Sequence, residues 1–147
     1  MEGAPHGVVE RLRVATNAHD VDALVDCFSE QYRNETPAHP ARSFTGRAQV
    51  RANWSQIFAA VPDITAEISN SAIDGDVVWS EWEMRGNRRD GVVHLMRGVI
   101  VFGTADETIT WARFYLEPVD SGIEDADEAV RRIVTNRSNS PAESERQ

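Results

Sequence analysis

Apolar residues recur every three or four positions in the first part of the chain, the spacing that gathers them on one face of a helix. This pattern predicts a helix over residues 7–18, a short second helix after the N-cap candidate Asp20, and a longer third helix over residues 46–61 that ends before Pro62. We therefore expect a helical hairpin followed by one longer amphipathic helix.

Beyond Pro62 the apolar positions form runs rich in β-branched and aromatic residues, which are typical of strands. Four such runs cover residues 64–73, 77–85, 92–102 and 108–116. Short segments rich in turn residues separate them, so consecutive strands are expected to pair as an antiparallel meander. A shorter strand is predicted at residues 31–36, between the second and third helices. Helices followed by a sheet indicate an α+β domain.

The end of the chain contains two segments of different composition. Residues 124–134 predict a helix, because acidic residues occupy its first turn and Arg131 and Arg132 its last, as the helix dipole favours. Residues 136–147 contain almost nothing apolar and predict a disordered tail. We therefore divide the chain into one domain over residues 1–119, a C-terminal helix over 120–135 and the tail.

Charge and motif content exclude several classes of partner. The net charge is −9 and the pI about 4.8, with no lysine in the 147 residues, which argues against nucleic acid and anionic membranes. The four histidines lie in different predicted elements, and no HxH, CxxC, GxGxxG or phosphate-cradling motif occurs, so we expect neither metal nor cofactor. The lone Cys27 and the absence of a signal-like apolar run favour the cytoplasm.

Four phrases of the sequence together resemble the SnoaL-like families of the nuclear transport factor 2-like superfamily. They are NAHDVDALVDCF, GRAQVRANWSQIF, DGDVVWSEWEMRG and ITWARFYLEPV, and the likeness spans roughly residues 7–119. The resemblance implies a curved antiparallel β-sheet wrapped around three helices, forming a cone with a central pocket. It does not imply one reaction, because this fold serves isomerases, hydrolases, cyclases, dehydratases and binding modules.

Two known catalytic sets of these families fit the chain poorly. The acid and base positions of ketosteroid isomerases fall near Leu12, Thr36 and Gly98, which cannot move a proton between carbons. Limonene-type epoxide hydrolases carry an Asp where this chain has Phe114, so their paired carboxyls are incomplete. An epoxide hydrolase with a relocated carboxylate stays open as an alternative, the carboxylate coming from Glu81, Glu83 or Glu117.

Alignment with these families gives a register for each strand, and the register predicts which side chains face the pocket. His94 is then the proton carrier, since histidine titrates closest to neutral pH. Arg113 and Tyr115 are expected to hold a developing oxyanion. Glu117 either orients His94 or acts as the base. Further ligand contacts are predicted at Leu12, Tyr32, Asn34, Asn53, Trp82, Met96 and Trp111.

A structural alternative exists for these polar residues, namely that Arg113 forms an ion pair with Glu117 or Glu81. A slip of one residue in the register of the strands would also exchange every pocket residue for its neighbour.

The leading functional hypothesis is a cofactor-independent acid/base enzyme, of the isomerase, cyclase, dehydratase or hydrolase type. Its substrate is expected to be a small apolar cyclic or polyketide-like molecule with one or two oxygens. The alternative is a ligand-binding or dimerisation module without turnover. We also expect a homodimer, because the opposite strand register leaves an apolar outer face. That face carries Val77, Trp79, Val93, Leu95, Val99 and Val101.

Overall fold

The computed structural model describes residues 5–135, so the tail predicted at 136–147 lies outside the described residues. The helices are α1 (Pro5–Ala18), α2 (Val21–Asp26), α3 (Arg47–Ala60) and α4 (Ala126–Thr135), with a short 3-10 helix at Pro40–Arg42. The strands are β1 (Phe28–Glu35), β2 (Phe44–Thr45), β3 (Thr65–Asp74), β4 (Val77–Asn87), β5 (Val93–Ala105) and β6 (Thr108–Pro118).

The strands form one curved sheet in the order β2-β1-β6-β5-β4-β3. β3, β4, β5 and β6 pair as an antiparallel meander, as predicted, and the α+β class is confirmed. β1 and β6 pair in parallel, which the prediction of an antiparallel sheet did not include. The difference has a simple cause: these two strands are separated by most of the chain, so no hairpin fixes their relative direction.

Side chains near the end of α1 attach the helices to the sheet. The Asn17 amide exchanges two hydrogen bonds with the backbone of Ala66 in β3, at 3.0 and 2.6 Å. The His19 ring stacks on Phe58 of α3 with 4.6 Å between ring centroids. α1 and α3 are thereby fixed over the same face of the sheet, with the core between helices and strands.

A glycine in the middle of β5 allows two strands to approach closely. Gly98 has φ = +154°, a conformation that L residues rarely adopt. A Cβ built there would lie 2.1 Å from the carbonyl oxygen of Tyr115 in β6. Only glycine fits this position, so its lack of a functional side chain follows from backbone packing.

None of the helices in residues 5–135 combines the length and apolar character required to cross a lipid bilayer.

Candidate functional site

A cavity of about 360 Å³ lies between α3 and the inner face of the sheet. Most of its lining is apolar, and each strand contributes alternate residues because successive side chains point to opposite faces. The apolar lining consists of Phe28, Phe44, Val50, Trp54, Ile57, Ile64, Met84, Met96, Phe114 and Leu116.

Three polar side chains from β1 and the residue after it form a row inside this cavity. Tyr32 donates a hydrogen bond from its hydroxyl to Asn34 Oδ1 at 2.8 Å, and Asn34 Nδ2 lies 3.5 Å from Thr36 Oγ1. All three residues are at least nine-tenths buried. The row places hydrogen-bonding groups together in a mostly apolar chamber, which suits a ligand with few oxygens.

Tyr32 is the ionisable group most deeply buried in the cavity. Its ring packs edge-on against Phe28 with 4.5 Å between centroids. Burial raises the pKa of the Tyr32 phenol above its ordinary value. Tyr32 therefore stays neutral at physiological pH and acts there as a hydrogen-bonding group.

The other polar lining residues are His94, Asn53 and Arg42. His94 and Asn53 are half-buried, whereas Arg42 is exposed, so Arg42 lies on the open side of the cavity. Among the described residues that line the cavity there is no Asp or Glu. A pair of carboxyl groups for acid/base chemistry is therefore missing from this lining.

The cavity register predicted for β6 is wrong. Phe114 and Leu116 line the cavity, whereas Arg113 and Tyr115 lie on the opposite face of the strand. The error is a slip of one residue in the register taken from the family alignment, which exchanges the two faces of the strand. A β-bulge lies just before this stretch: Trp111 pairs with Gly103, but the next ladder pair joins Ile109 to Thr104 and leaves Thr110 extra. The extra residue reverses the alternation, so Ile109 and Ala112 are both fully buried.

Arg113 belongs to a cluster on the outer face of the sheet. Its Nε lies 2.9 Å from Glu35 Oε1, and its guanidinium lies 4.6 Å from the centroid of the Trp111 ring. The predicted partners Glu117 and Glu81 are therefore replaced by Glu35. Trp111 covers Gly103, where any Cβ would overlap its indole ring. Arg113 and Trp111 were both predicted to line the cavity, and neither of them does.

Glu117 and Tyr115 also lie away from the cavity. Glu117 Oε2 lies 3.2 Å from His39 Nε2, so Glu117 contacts His39 instead of orienting His94. The Tyr115 side chain is 43% exposed on the outer face. The catalytic quartet predicted from the sequence is thus not assembled, and His94 alone faces the cavity.

The predicted ligand contacts divide between cavity and core. Four of the seven predicted ligand contacts line the cavity: Tyr32, Asn34, Asn53 and Met96. Leu12 and Trp82 are buried in the hydrophobic core and do not line it. The Trp82 indole donates a hydrogen bond to Ser80 Oγ at 2.8 Å, and Ser80 donates to the Ile100 carbonyl, so this polar pair is satisfied within the protein.

Sequence reasoning missed two polar lining residues, Thr36 and Arg42, as ligand contacts. Thr36 continues the alternation of Tyr32 and Asn34 along the strand, so this period of two residues was a signal by which Thr36 could have been found. Arg42 follows Pro40 in an irregular loop, where no periodicity indicates the direction of a side chain.

The described residues give little support for a metal site, a reactive cysteine or an epoxide hydrolase site. Within residues 5–135, no three His, Cys, Asp or Glu side chains converge as a metal site. Burial raises the pKa of the Cys27 thiol, which disfavours the reactive thiolate. The candidate carboxylates for a relocated epoxide hydrolase site, Glu81, Glu83 and Glu117, all lie outside the cavity lining.

Comparison with known protein families identifies the family to which the chain belongs. The model of the SnoaL-like domain matches residues 9–112, well over half of the sequence. The chain belongs to the SnoaL-like domain family. No sequence among curated proteins matches it.

Solved structures share the SnoaL-like fold at low sequence identity. A Mycobacterium tuberculosis protein in complex with estradiol-17β-hemisuccinate is 16% identical, with a TM-score of 0.67, over 78% of this chain and 94% of that one. A putative SnoaL-like polyketide cyclase from Shewanella putrefaciens is 10% identical, with a TM-score of 0.66, over 77% and 79%. A protein with a ketosteroid isomerase-like fold from Catenulispora acidiphila, in complex with trimethylamine, is 20% identical, with a TM-score of 0.62, over 74% and 84%. These likenesses support the fold alone.

Proposed function

We propose that this SnoaL-like protein binds one small, mostly apolar molecule with one or two oxygens in the cavity beside α3. The observation that carries the proposal is the buried row of Tyr32, Asn34 and Thr36 in a chamber with apolar walls. Apolar walls favour any ligand that removes hydrophobic surface from water, at about 25 cal/mol per Å². The polar row then selects ligands with an oxygen at the matching place.

The hydrogen-bonding groups of the row suit a carbonyl or hydroxyl oxygen. The Asn34 amide has two N–H donors, and its described contact to Thr36 Oγ1 is long at 3.5 Å. The amide therefore has capacity to donate to a ligand oxygen. The steroid hemisuccinate bound by the Mycobacterium tuberculosis protein, an apolar ring system with oxygens, is a ligand of the same general character.

A cavity-blocking variant tests the proposal. Asn53→Trp adds a large ring to the half-buried helix position that lines the cavity, and Gln49→Trp adds the same ring one turn earlier, at an exposed position outside the lining. We expect 1-naphthaleneacetamide to bind the wild type and Gln49→Trp alike, and to bind Asn53→Trp roughly tenfold more weakly or not at all. Titration calorimetry measures the three affinities. Equal affinity in all three proteins, or no binding by the wild type, would refute the proposed site.

Proton transfer is a second candidate function, and one observation favours it. His94 lines the cavity and carries the side chain type that titrates closest to neutral pH. In a catalyst of this kind, His94 removes a proton next to a ligand carbonyl without a cofactor. Base-catalysed isomerisation, aldol-type cyclisation and dehydration of a β-hydroxy carbonyl compound begin with such a step.

A homodimer is the proposed assembly. The helices α1 to α3 cover one face of the sheet, and the other face exposes Trp79 by 48% and Tyr115 by 43%. Val99 lies opposite Tyr115 in the ladder between β5 and β6. Val93 at the end of β5 is 69% exposed, whereas Val101, also predicted on this face, is buried. A second copy placed on Trp79, Val99 and Tyr115 would remove this apolar surface from water.

We also propose that the protein works in the cytoplasm. The support is Cys27, the single cysteine, which is buried in the core as a free thiol. A chain without disulfides suits a reducing compartment.

A further inference from the structure

We infer that the ligand carries one negatively charged group, a carboxylate, and that Arg42 binds this group at the open side of the cavity. The inference rests on the proposed function, since it specifies which molecules the same cavity selects.

The backbone around Arg42 is held in place by several hydrogen bonds. His39 N–H donates to the Thr36 carbonyl at 2.8 Å, and Arg42 N–H donates to the His39 carbonyl at 2.9 Å. Ser43 closes the loop, because its Oγ accepts a hydrogen bond from Thr36 N–H at 3.2 Å. The contact of His39 Nε2 with Glu117 Oε2, at 3.2 Å, then connects the loop to the end of β6. The loop thus presents Arg42 to the cavity from a fixed position.

Arg42 lacks a partner among the described residues. Its guanidinium makes no hydrogen bond or ion pair there, whereas every other arginine in residues 5–135 has a carboxylate or backbone carbonyl acceptor. This contrast is marked in a chain with a net charge of −9, where carboxylates outnumber cations. The single arginine of this range without such an acceptor lies on a cavity whose described lining contains no carboxylate.

The chemistry of this arrangement matches an apolar carboxylic acid. A guanidinium presents paired N–H donors that fit the two oxygens of a carboxylate. One cation balances one negative charge, which favours a carboxylate over a doubly charged phosphate ester. The apolar body of the ligand would then fill the space between Trp54, Met96 and Phe114 while its acid group stays beside Arg42.

Because Arg42 is exposed, solvent and salt screen its attraction for the ligand. The expected gain is therefore modest, roughly three- to tenfold in affinity for an anion over a neutral analogue. The gain should shrink as the ionic strength rises.

A matched pair of probes separates charge from shape. 1-Naphthaleneacetic acid and 1-naphthaleneacetamide have nearly the same size, but only the acid is charged near neutral pH. Titration calorimetry gives their affinities for the wild type, Arg42→Met and Arg51→Met. Arg51 is the control, because it is exposed on α3, pairs with Asp22 and does not line the cavity, yet its loss changes the net charge equally.

We expect the wild type and Arg51→Met to prefer the acid roughly three- to tenfold, and Arg42→Met to bind acid and amide equally with its amide affinity unchanged. Equal affinities in the wild type, or a preference that survives in Arg42→Met, would overturn the inference while amide binding upheld the proposed function. Amide binding that is absent, or unaffected by Asn53→Trp, would instead refute the cavity as the binding site.

Discussion

At the scale of single residues, the cavity combines His94 with a row of neutral hydrogen-bonding groups. His94 is half-buried in the lining, whereas Tyr32 is kept neutral by burial, which raises the pKa of its phenol. No lining residue between 5 and 135 supplies a carboxylate. Any proton transfer in this cavity at neutral pH therefore depends on His94.

Replacing His94 with glutamine tests this dependence. We expect the wild type to accelerate exchange of the hydrogens next to the carbonyl of 2-tetralone with deuterated water, followed by NMR. His94→Gln should lose roughly a hundredfold of that acceleration, as is typical when a general base is removed.

The matched control for this experiment is His6→Gln, an exposed position on α1 that does not line the cavity. His6→Gln should exchange as fast as the wild type. If the wild type exchanges the probe no faster than buffer, or if His94→Gln is as fast as the wild type, the protein has no catalytic function through His94 and binding alone is left.

The residue-level predictions succeeded on β1 and β5 and failed on β6. Alignment with the family gave the correct face for Tyr32, Asn34 and Met96, which line the cavity. On β6 it gave the wrong face, although the ladder from Trp111 to Pro118 is unbroken. Periodicity alone does not choose between the two faces of a strand, because odd and even positions alternate equally well.

At the scale of elements, local patterns predicted the three helices of the cone and the four long strands to within a few residues. The Asp20 side chain caps α2 as predicted, accepting a hydrogen bond from Ala23 N–H at 3.0 Å. β2 was missed because its two residues are too short for a periodic pattern, and its place depends on pairing with β1. Short pieces that depend on tertiary contacts leave little signal in sequence.

The outer face of β4, β5 and β6 is the proposed dimer contact, and a charge placed on it should prevent dimerisation. Trp79→Glu places a charge in the centre of the proposed dimer contact, where it would be desolvated. We expect the wild type to sediment as a dimer at micromolar concentration and Trp79→Glu as a folded monomer.

Val14→Glu is the control for this change, because Val14 is an apolar residue of similar exposure, 52%, on α1. It should leave the dimer intact. A monomeric wild type, or a Trp79→Glu variant that still dimerises, would contradict the proposed assembly.

At the scale of the whole molecule, the fold supplies the chamber and its lining determines the function. The SnoaL-like domain match and the structural neighbours agree with the cone expected from the four sequence phrases. The family resemblance also suggested polar residues on β6, and there this chain differs, because its β6 presents Phe114 and Leu116 to the cavity. We therefore propose that this chain's own β1 row, His94 and Arg42 determine which ligand it binds.

The most direct test of the central claim follows the methionine methyl groups by NMR. The chain has three methionines, of which Met84 and Met96 line the cavity and Met1 lies outside the described residues. With methyl-labelled methionine, we expect 1-naphthaleneacetamide to shift the Met84 and Met96 signals and to show Overhauser contacts with both, and Asn53→Trp to abolish these effects. Saturating binding that leaves both signals unmoved would contradict the account.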